Sequence, residues 1–326
     1  MSDIELREVY LARKRISAVA CHTPLITSPD LSSLVDAHVY LKPENYQKTG
    51  SFKIRGAANK ILALSEAERS RGVITASTGN HGRAVAFVAR ACGAKATVCL
   101  SKEVPENKIE ALRDLGAEVV IFGHSQDDAF EKAGELRAKH GYVLIPPFDD
   151  ATIIAGQGTI GLEIIEDLPQ VDLLLVPVSG GGLISGIART AKAMSPNIDV
   201  VGVSMQRAPV MYHSLVVGEP VHMEEEITLA DSLRGGIGLD NQYTFQMVRN
   251  YVDEIVLVSE NEIAEAMAFA FRRHHVLLEG AGAVGIAALL HGKVNVENKI
   301  LVAVMSGGNI DMRTLLGTLD GKRSER

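Results

Sequence analysis

The chain has 326 residues, with 33 Lys and Arg against 40 Asp and Glu and a net charge of −7. Its apolar fraction of 46% and charged fraction of 22% are those of a folded globular protein, which excludes a disordered or fibrous chain. The acidic balance gives no sign of a nucleic-acid binder, whose domains carry a basic face, and no apolar run reaches the roughly 18 residues that a membrane span needs.

The stretch MSDIELREVYLARKR is charged at helical spacing and has neither the apolar core nor the small-residue cleavage site of a secretory signal. Cys21, Cys92 and Cys99 are odd in number and lack CxxC spacing, so they read as core-filling thiols of a reducing, cytoplasmic compartment. Strands are predicted near 40 and over 73–76, 96–100, 118–122, 142–147, 172–178, 199–204, 254–259 and 299–305. Helical patterns lie over 80–92, 105–115 and 260–273, the last opening with the cap-like SENE. This alternation predicts an α/β protein with parallel sheets covered on both faces. The length suits about two domains, but composition marks no boundary, linker or repeat.

Glycines cluster in ASTGNHG (76–82), PVSGGGLISG (177–186), RGGIG (234–238) and MSGGNID (305–311). Three of these follow predicted strands, where an open α/β sheet binds its ligands, so they are expected to face one crevice. In SGGGL, Gly180, Gly181 and Gly182 precede a helical pattern and could cradle a phosphate on free backbone N–H groups, or form a plain tight turn. GQGTIG at 156–161 matches GxGxxG, but PPFDDATIIA separates it from the preceding strand, so the context of a dinucleotide site is missing. Lys53, between Phe52 and Ile54, could lay its stem over apolar surface. Beside a phosphate cradle it has a second reading: a desolvated lysine has a lowered pKa, and its neutral amine can condense with an aldehyde cofactor. Pyridoxal phosphate carries both groups.

KTGSFKIRGA, STGNHG, SGGGL and MSGGN, in this order, resemble the threonine dehydratase and serine racemase group of fold type II pyridoxal-phosphate enzymes, over about residues 5–312. The resemblance implies a tryptophan synthase beta-like fold, with a small domain over 47–148, a large one over 1–46 and 149–326, and a homodimer. It implies that Lys53 holds the pyridoxal 5'-phosphate, next to Phe52, and that Asn80 meets the ring hydroxyl. Gly180, Gly181, Gly182 and Leu183 would meet the phosphate, with Ser179 where relatives often have a fourth glycine. Ser306 would meet the pyridine nitrogen, and Glu279 lies near the cofactor or complements a helix dipole. Ser51, Thr78, Gly79 and His81 would surround the carboxylate of a small amino-acid substrate.

A neutral hydroxyl at Ser306 makes a weaker electron sink than a carboxylate, which favours elimination: an ammonia-lyase that takes water from a β-hydroxy-α-amino acid and leaves a keto acid and ammonia. The alternative, an amino-acid racemase, needs a second acid/base, and Thr78 stands where that branch has serine. The positions matching a cation site in many members appear as Ser204, Ala208 and Val210, so no metal is expected there. The segments SMQRAPVMYHSL and TLADSLRGGIGLDN resemble hydroxyectoine utilisation dehydratases, which suggests a hydroxylated diamino acid. Few residues follow the last motif, so no C-terminal regulatory domain is expected.

Overall fold

A computed structural model describes residues 4–77, 79–104 and 106–319, except the side chains of 107, 126 and 127. In chain order its strands are β1 (Ile26–Thr27), β2 (His38–Pro43), β3 (Val73–Ala76), β4 (Ala96–Leu100), β5 (Glu118–Ile121), β6 (Val143–Leu144), β7 (Leu173–Pro177), β8 (Asp199–Met205), β9 (Glu254–Val258) and β10 (Ile300–Met305). They form a six-stranded sheet, β1-β2-β10-β7-β8-β9, and a four-stranded sheet, β5-β4-β3-β6. Every pairing is parallel except β1 with β2. The predicted runs all fall on strands, because central parallel strands are buried on both faces and must be apolar throughout: β3, β4 and β7 have no exposed residue.

In the smaller sheet the chain runs from β3 to β4 and β5 on one side and returns to β6 on the other, so the strand order reverses at β3. In the larger sheet β7, β8 and β9 run one way and β10 enters on the opposite side of β7. Ligand crevices of open α/β sheets lie outside the carboxyl ends of strands at such reversals. The motifs STGNHG, SGGGL and MSGGN follow β3, β7 and β10 respectively.

One core packs helices Glu260–His274 and Gly280–Leu290 on one face of the larger sheet, and a second packs Ala151–Asp167 and Gly182–Met194 on the other. The SENE signal is realised as a capping box between Ser259 and Glu262. GQGTIG lies inside helix Ala151–Asp167, and its glycines serve close packing. A Cβ on Gly156 would stand 2.7 Å from the Cα of Gly56, and one on Gly186 would stand 2.4 Å from the carbonyl oxygen of Ile154. No helix of the described residues is long and apolar enough to cross a membrane.

Candidate active site

The end of β10 and the start of helix Lys53–Ala63 are hooked together. Ser51 bridges Gly307, the Phe52 N–H donates to the Ser306 carbonyl at 3.0 Å, and the Gly308 N–H donates to the Gly50 carbonyl at 2.9 Å. Lys53 is the first residue of its helix, and its Nζ donates to the Pro147 carbonyl at 2.8 Å and lies 5.3 Å from the Phe52 ring centroid. Burial lowers its pKa to about 8 against the opposing pull of Glu279. Desolvation disfavours the ammonium, and a sizeable share of neutral amine is thus present near physiological pH.

After β7 the chain turns through Ser179 and Gly180, with Gly181 at φ 85°, into helix Gly182–Met194, whose first turn includes the buried Leu183. The first N–H groups of this helix have no partner within it and point where an anion would sit. The glycines themselves have a packing cause: a Cβ on Gly180 would stand 2.4 Å from the Phe148 ring and one on Gly182 2.9 Å from the Phe148 Cα. Phe148 lies beside Pro147, the partner of Lys53, so one strand end supports both the lysine and the loop.

At the end of β3, Gly79 caps helix Asn80–Ala91. Thr78 lies outside the described residues. Asn80 Nδ2 donates to Glu279 Oε1 at 2.7 Å and stands 3.4 Å from Ser232 Oγ, while Asn80 Oδ1 accepts from Asn309 Nδ2 at 2.6 Å. Glu279 occupies the N-cap position of helix Gly280–Leu290, but its side chain makes no cap bond and turns to Asn80 instead. Burial raises its pKa to about 7, assisted by the nearby charge of Asp231 and opposed by its hydrogen bonds to Asn80 and Ser232. His81 is buried, with Nε2 2.9 Å from the Ile145 carbonyl, and burial beside Lys53 lowers its pKa to about 3. Its ring is neutral and its N–H is taken by that carbonyl, so the free ring nitrogen can only accept.

Together these residues fit pyridoxal phosphate. Ser51 Oγ and Thr49 Oγ1 are buried without a hydrogen-bond partner, and such orphans beside a cleft call for a ligand. Ser306 Oγ is buried and makes only a long bond, 3.3 Å, to the Ala281 carbonyl. A lysine amine at one helix start, the N-terminus of the helix after β7 and a buried serine after β10 therefore offer groups that suit an aldehyde, a phosphate and a ring nitrogen.

Asn309, the last residue of MSGGN, Ser232 of TLADSLRGGIGLDN, Pro147 and Phe148 belong to this constellation although sequence alone assigns none of them a role. In RGGIG, Arg234 pairs with Glu225 at 3.0 Å. Ser204 Oγ donates to the Val178 carbonyl at 2.9 Å, Ala208 has φ 43° and Val210 starts a helix. No cluster of three His, Cys, Asp or Glu suited to a metal occurs among the described residues.

A buried lysine with a lowered pKa near a Gly-rich helix N-terminus, beside strand-order reversals in two sheets, is an arrangement suited to a pyridoxal-phosphate enzyme. Residues 16–307 match the family of pyridoxal-phosphate dependent enzymes, and the chain belongs to it. It is 46% identical to the L-threonine ammonia-lyase of Thermotoga maritima over 96% of this chain and 77% of that one. It is 41% identical to the catabolic L-threonine dehydratase of Escherichia coli over 95% and 94% of the two chains. The solved structure of maize serine racemase superposes with a TM-score of 0.91 at 34% identity, covering 98% of this chain and 97% of that one.

Proposed function

We propose that the protein is a pyridoxal-phosphate-dependent ammonia-lyase that removes water from a small β-hydroxy-α-amino acid of the threonine or serine type, giving a keto acid and ammonia. The observation that carries this reading is the meeting of a lysine with its pKa lowered to about 8 and a neutral serine hydroxyl at the end of β10. The identity to a threonine ammonia-lyase and a threonine dehydratase, higher than that to the racemase, supports it.

Lys53 would hold the cofactor's aldehyde carbon beside Phe52, and Asn80 would meet its ring hydroxyl, with Glu279 behind. The loop Ser179–Gly180–Gly181–Gly182–Leu183 would hold the phosphate, and Ser306 the ring nitrogen. When bound, pyridoxal phosphate supplies an electron sink for the bond broken at the substrate Cα. Lys53 Nζ, neutral and freed from the Pro147 carbonyl, takes the Cα proton. Ser51 Oγ donates to the substrate carboxylate, as do the N–H groups at the start of helix Asn80–Ala91. At His81 that contact runs through the backbone, because its ring has no N–H to spare. Thr78 is assigned to the same carboxylate.

The division into a body over 47–148 and another over 1–46 and 149–326 belongs to this proposal, as do a homodimer and a cytoplasmic setting, the latter supported by three unpaired cysteines. A hydroxylated diamino acid is the finer substrate reading, supported by Asp231 and Ser232 of TLADSLRGGIGLDN, which stand against Glu279 and Asn80. The test is an assay of ammonia and keto acid over L-threonine, L-serine, 3-hydroxyaspartate and hydroxylated diaminobutyrate. Keto acid from at least one of them is expected. Conversion of L-serine to D-serine without pyruvate would replace the lyase with a racemase.

A further inference from the structure

Asn80 ends in an amide that could present either its N–H2 or its carbonyl to the cleft, and the two faces have opposite chemistry. The surroundings fix the choice. The Thr49 carbonyl, which can only accept, receives a hydrogen bond from Asn309 Nδ2 at 2.8 Å. The second proton of the same nitrogen goes to Asn80 Oδ1 at 2.6 Å, which leaves Asn80 Nδ2 to face the Glu279 carboxyl at 2.7 Å. The relay therefore runs one way, from Asn309 to Asn80 to Glu279, because an obligate acceptor anchors its start. The Asn309 backbone N–H also donates to Glu279. Room for the Asn309 side chain depends on Gly50, where a Cβ would stand 2.5 Å from Asn309 Oδ1 and where φ is 73°.

We infer that Asn309 is a positioning residue that sets the direction of the Asn80 amide, so that a donor rather than an acceptor faces the cofactor ring oxygen and Glu279. This inference rests on the assignment of Asn80 to the cofactor. An aspartate at 309 has almost the same shape but can only accept when ionised. The Asn80 amide then turns over to donate to it and offers its carbonyl to the cleft. An alanine merely leaves the Asn80 amide free to turn.

The test titrates pyridoxal phosphate into the full-length wild type, Asn309→Ala, Asn309→Asp and Asn80→Ala, following the absorption band of the bound cofactor and thermal unfolding. At pH 8, Asn309→Ala should weaken cofactor binding about tenfold and Asn309→Asp about a hundredfold, the scale of one lost and one reversed buried hydrogen bond. The gap between them should close towards pH 5, where a protonated aspartic acid donates to Asn80 Oδ1 again; a purely structural role would not give that convergence. Binding by both Asn309 variants within twofold of wild type, or Asn309→Ala binding no better than Asn309→Asp at pH 8, overturns the inference. If Asn309→Asp does not fold, the tenfold loss in Asn309→Ala decides. Wild-type binding by Asn80→Ala removes the assignment of Asn80 itself, and the inference with it. Weak binding by Asn80→Ala together with normal binding by both Asn309 variants leaves that assignment standing and removes only the inference.

Discussion

Two groups of buried polar side chains lie within a few residues of each other between positions 42 and 59, and they are treated in opposite ways. Around Arg55 every charge is matched: its guanidinium grips both oxygens of Glu44 at 2.8 Å and both of Glu163 at 2.6 and 2.8 Å. Lys42 donates to Glu163 at 2.7 Å and to the Thr23 carbonyl at 2.6 Å. These carboxylates push the Arg55 pKa up more than burial pulls it down. Just before it in the chain, Thr49 and Ser51 bury hydroxyls with no partner, and Lys53 holds only a backbone carbonyl. A fully matched ionic cluster fixes one arrangement of the chain, whereas unmatched polar groups of the same depth mark where a ligand completes the structure.

Four experiments press on that contrast. The largest effect is expected from Lys53→Ala, which should lower ammonia release by more than about a thousandfold, since it removes both the cofactor's attachment and the proton acceptor. A coloured, active Lys53→Ala protein would end the proposed chemistry. Arg55→Met should destabilise the fold by about 3–5 kcal/mol, because it leaves the buried Glu44 carboxylate without a counter-charge and Glu163 with Lys42 alone. Urea unfolding reads this, and a loss below about 1 kcal/mol would show that the cluster is not buried as described.

The third concerns Glu279, whose carboxyl is raised from 4.5 to about 7 in the fold. Between those two pH values the native state holds a proton that the unfolded chain has released, so stability falls as pH rises through this window. Relative to Glu279→Gln, the cofactor-free wild type should lose about 3 kcal/mol between pH 4 and pH 8. Parallel curves for the two proteins would contradict the burial of an ionisable carboxyl there. The smallest effect on stability is expected from Ser51→Ala: deleting an unpartnered buried hydroxyl should shift unfolding by no more than about 1 kcal/mol, in the stabilising direction. The same change should raise KM for the amino acid about tenfold, and an unchanged KM would show that Ser51 has no ligand contact.

The strands were legible because parallel sheets require unbroken apolar runs, and short motifs drew attention to Lys53, Asn80 and Ser306, the last two just after strands. Arg55, Glu44, Glu163 and Lys42 were not legible as a cluster. Glu163 is 108 positions from Arg55 and 121 from Lys42, and no local pattern encodes such a pairing. Asn309 ends the MSGGN motif, but its pairing with Asn80, 229 positions away, was hidden for the same reason. Two glycine patterns have packing causes that spacing alone does not show. GQGTIG has the spacing of a nucleotide loop but lies mid-helix, and the three glycines after β7 owe their lack of side chains in part to Phe148.

The glycine contacts of helix Ala151–Asp167 bear on how Lys53 and the loop after β7 can move. Gly156 meets Gly56 of the helix that begins with Lys53, and Gly186, in the helix that follows β7, meets the backbone of the same central helix. With backbones this close, the three helices cannot slide past one another without steric collision. Lys53 and the loop after β7 therefore ride on a single stiff block. The Lys53 helix also packs Ile54, Ala57, Ala58 and Ile61 against Val73, Val85 and Val98 in the core of the four-stranded sheet, so one helix ties that sheet to the same block.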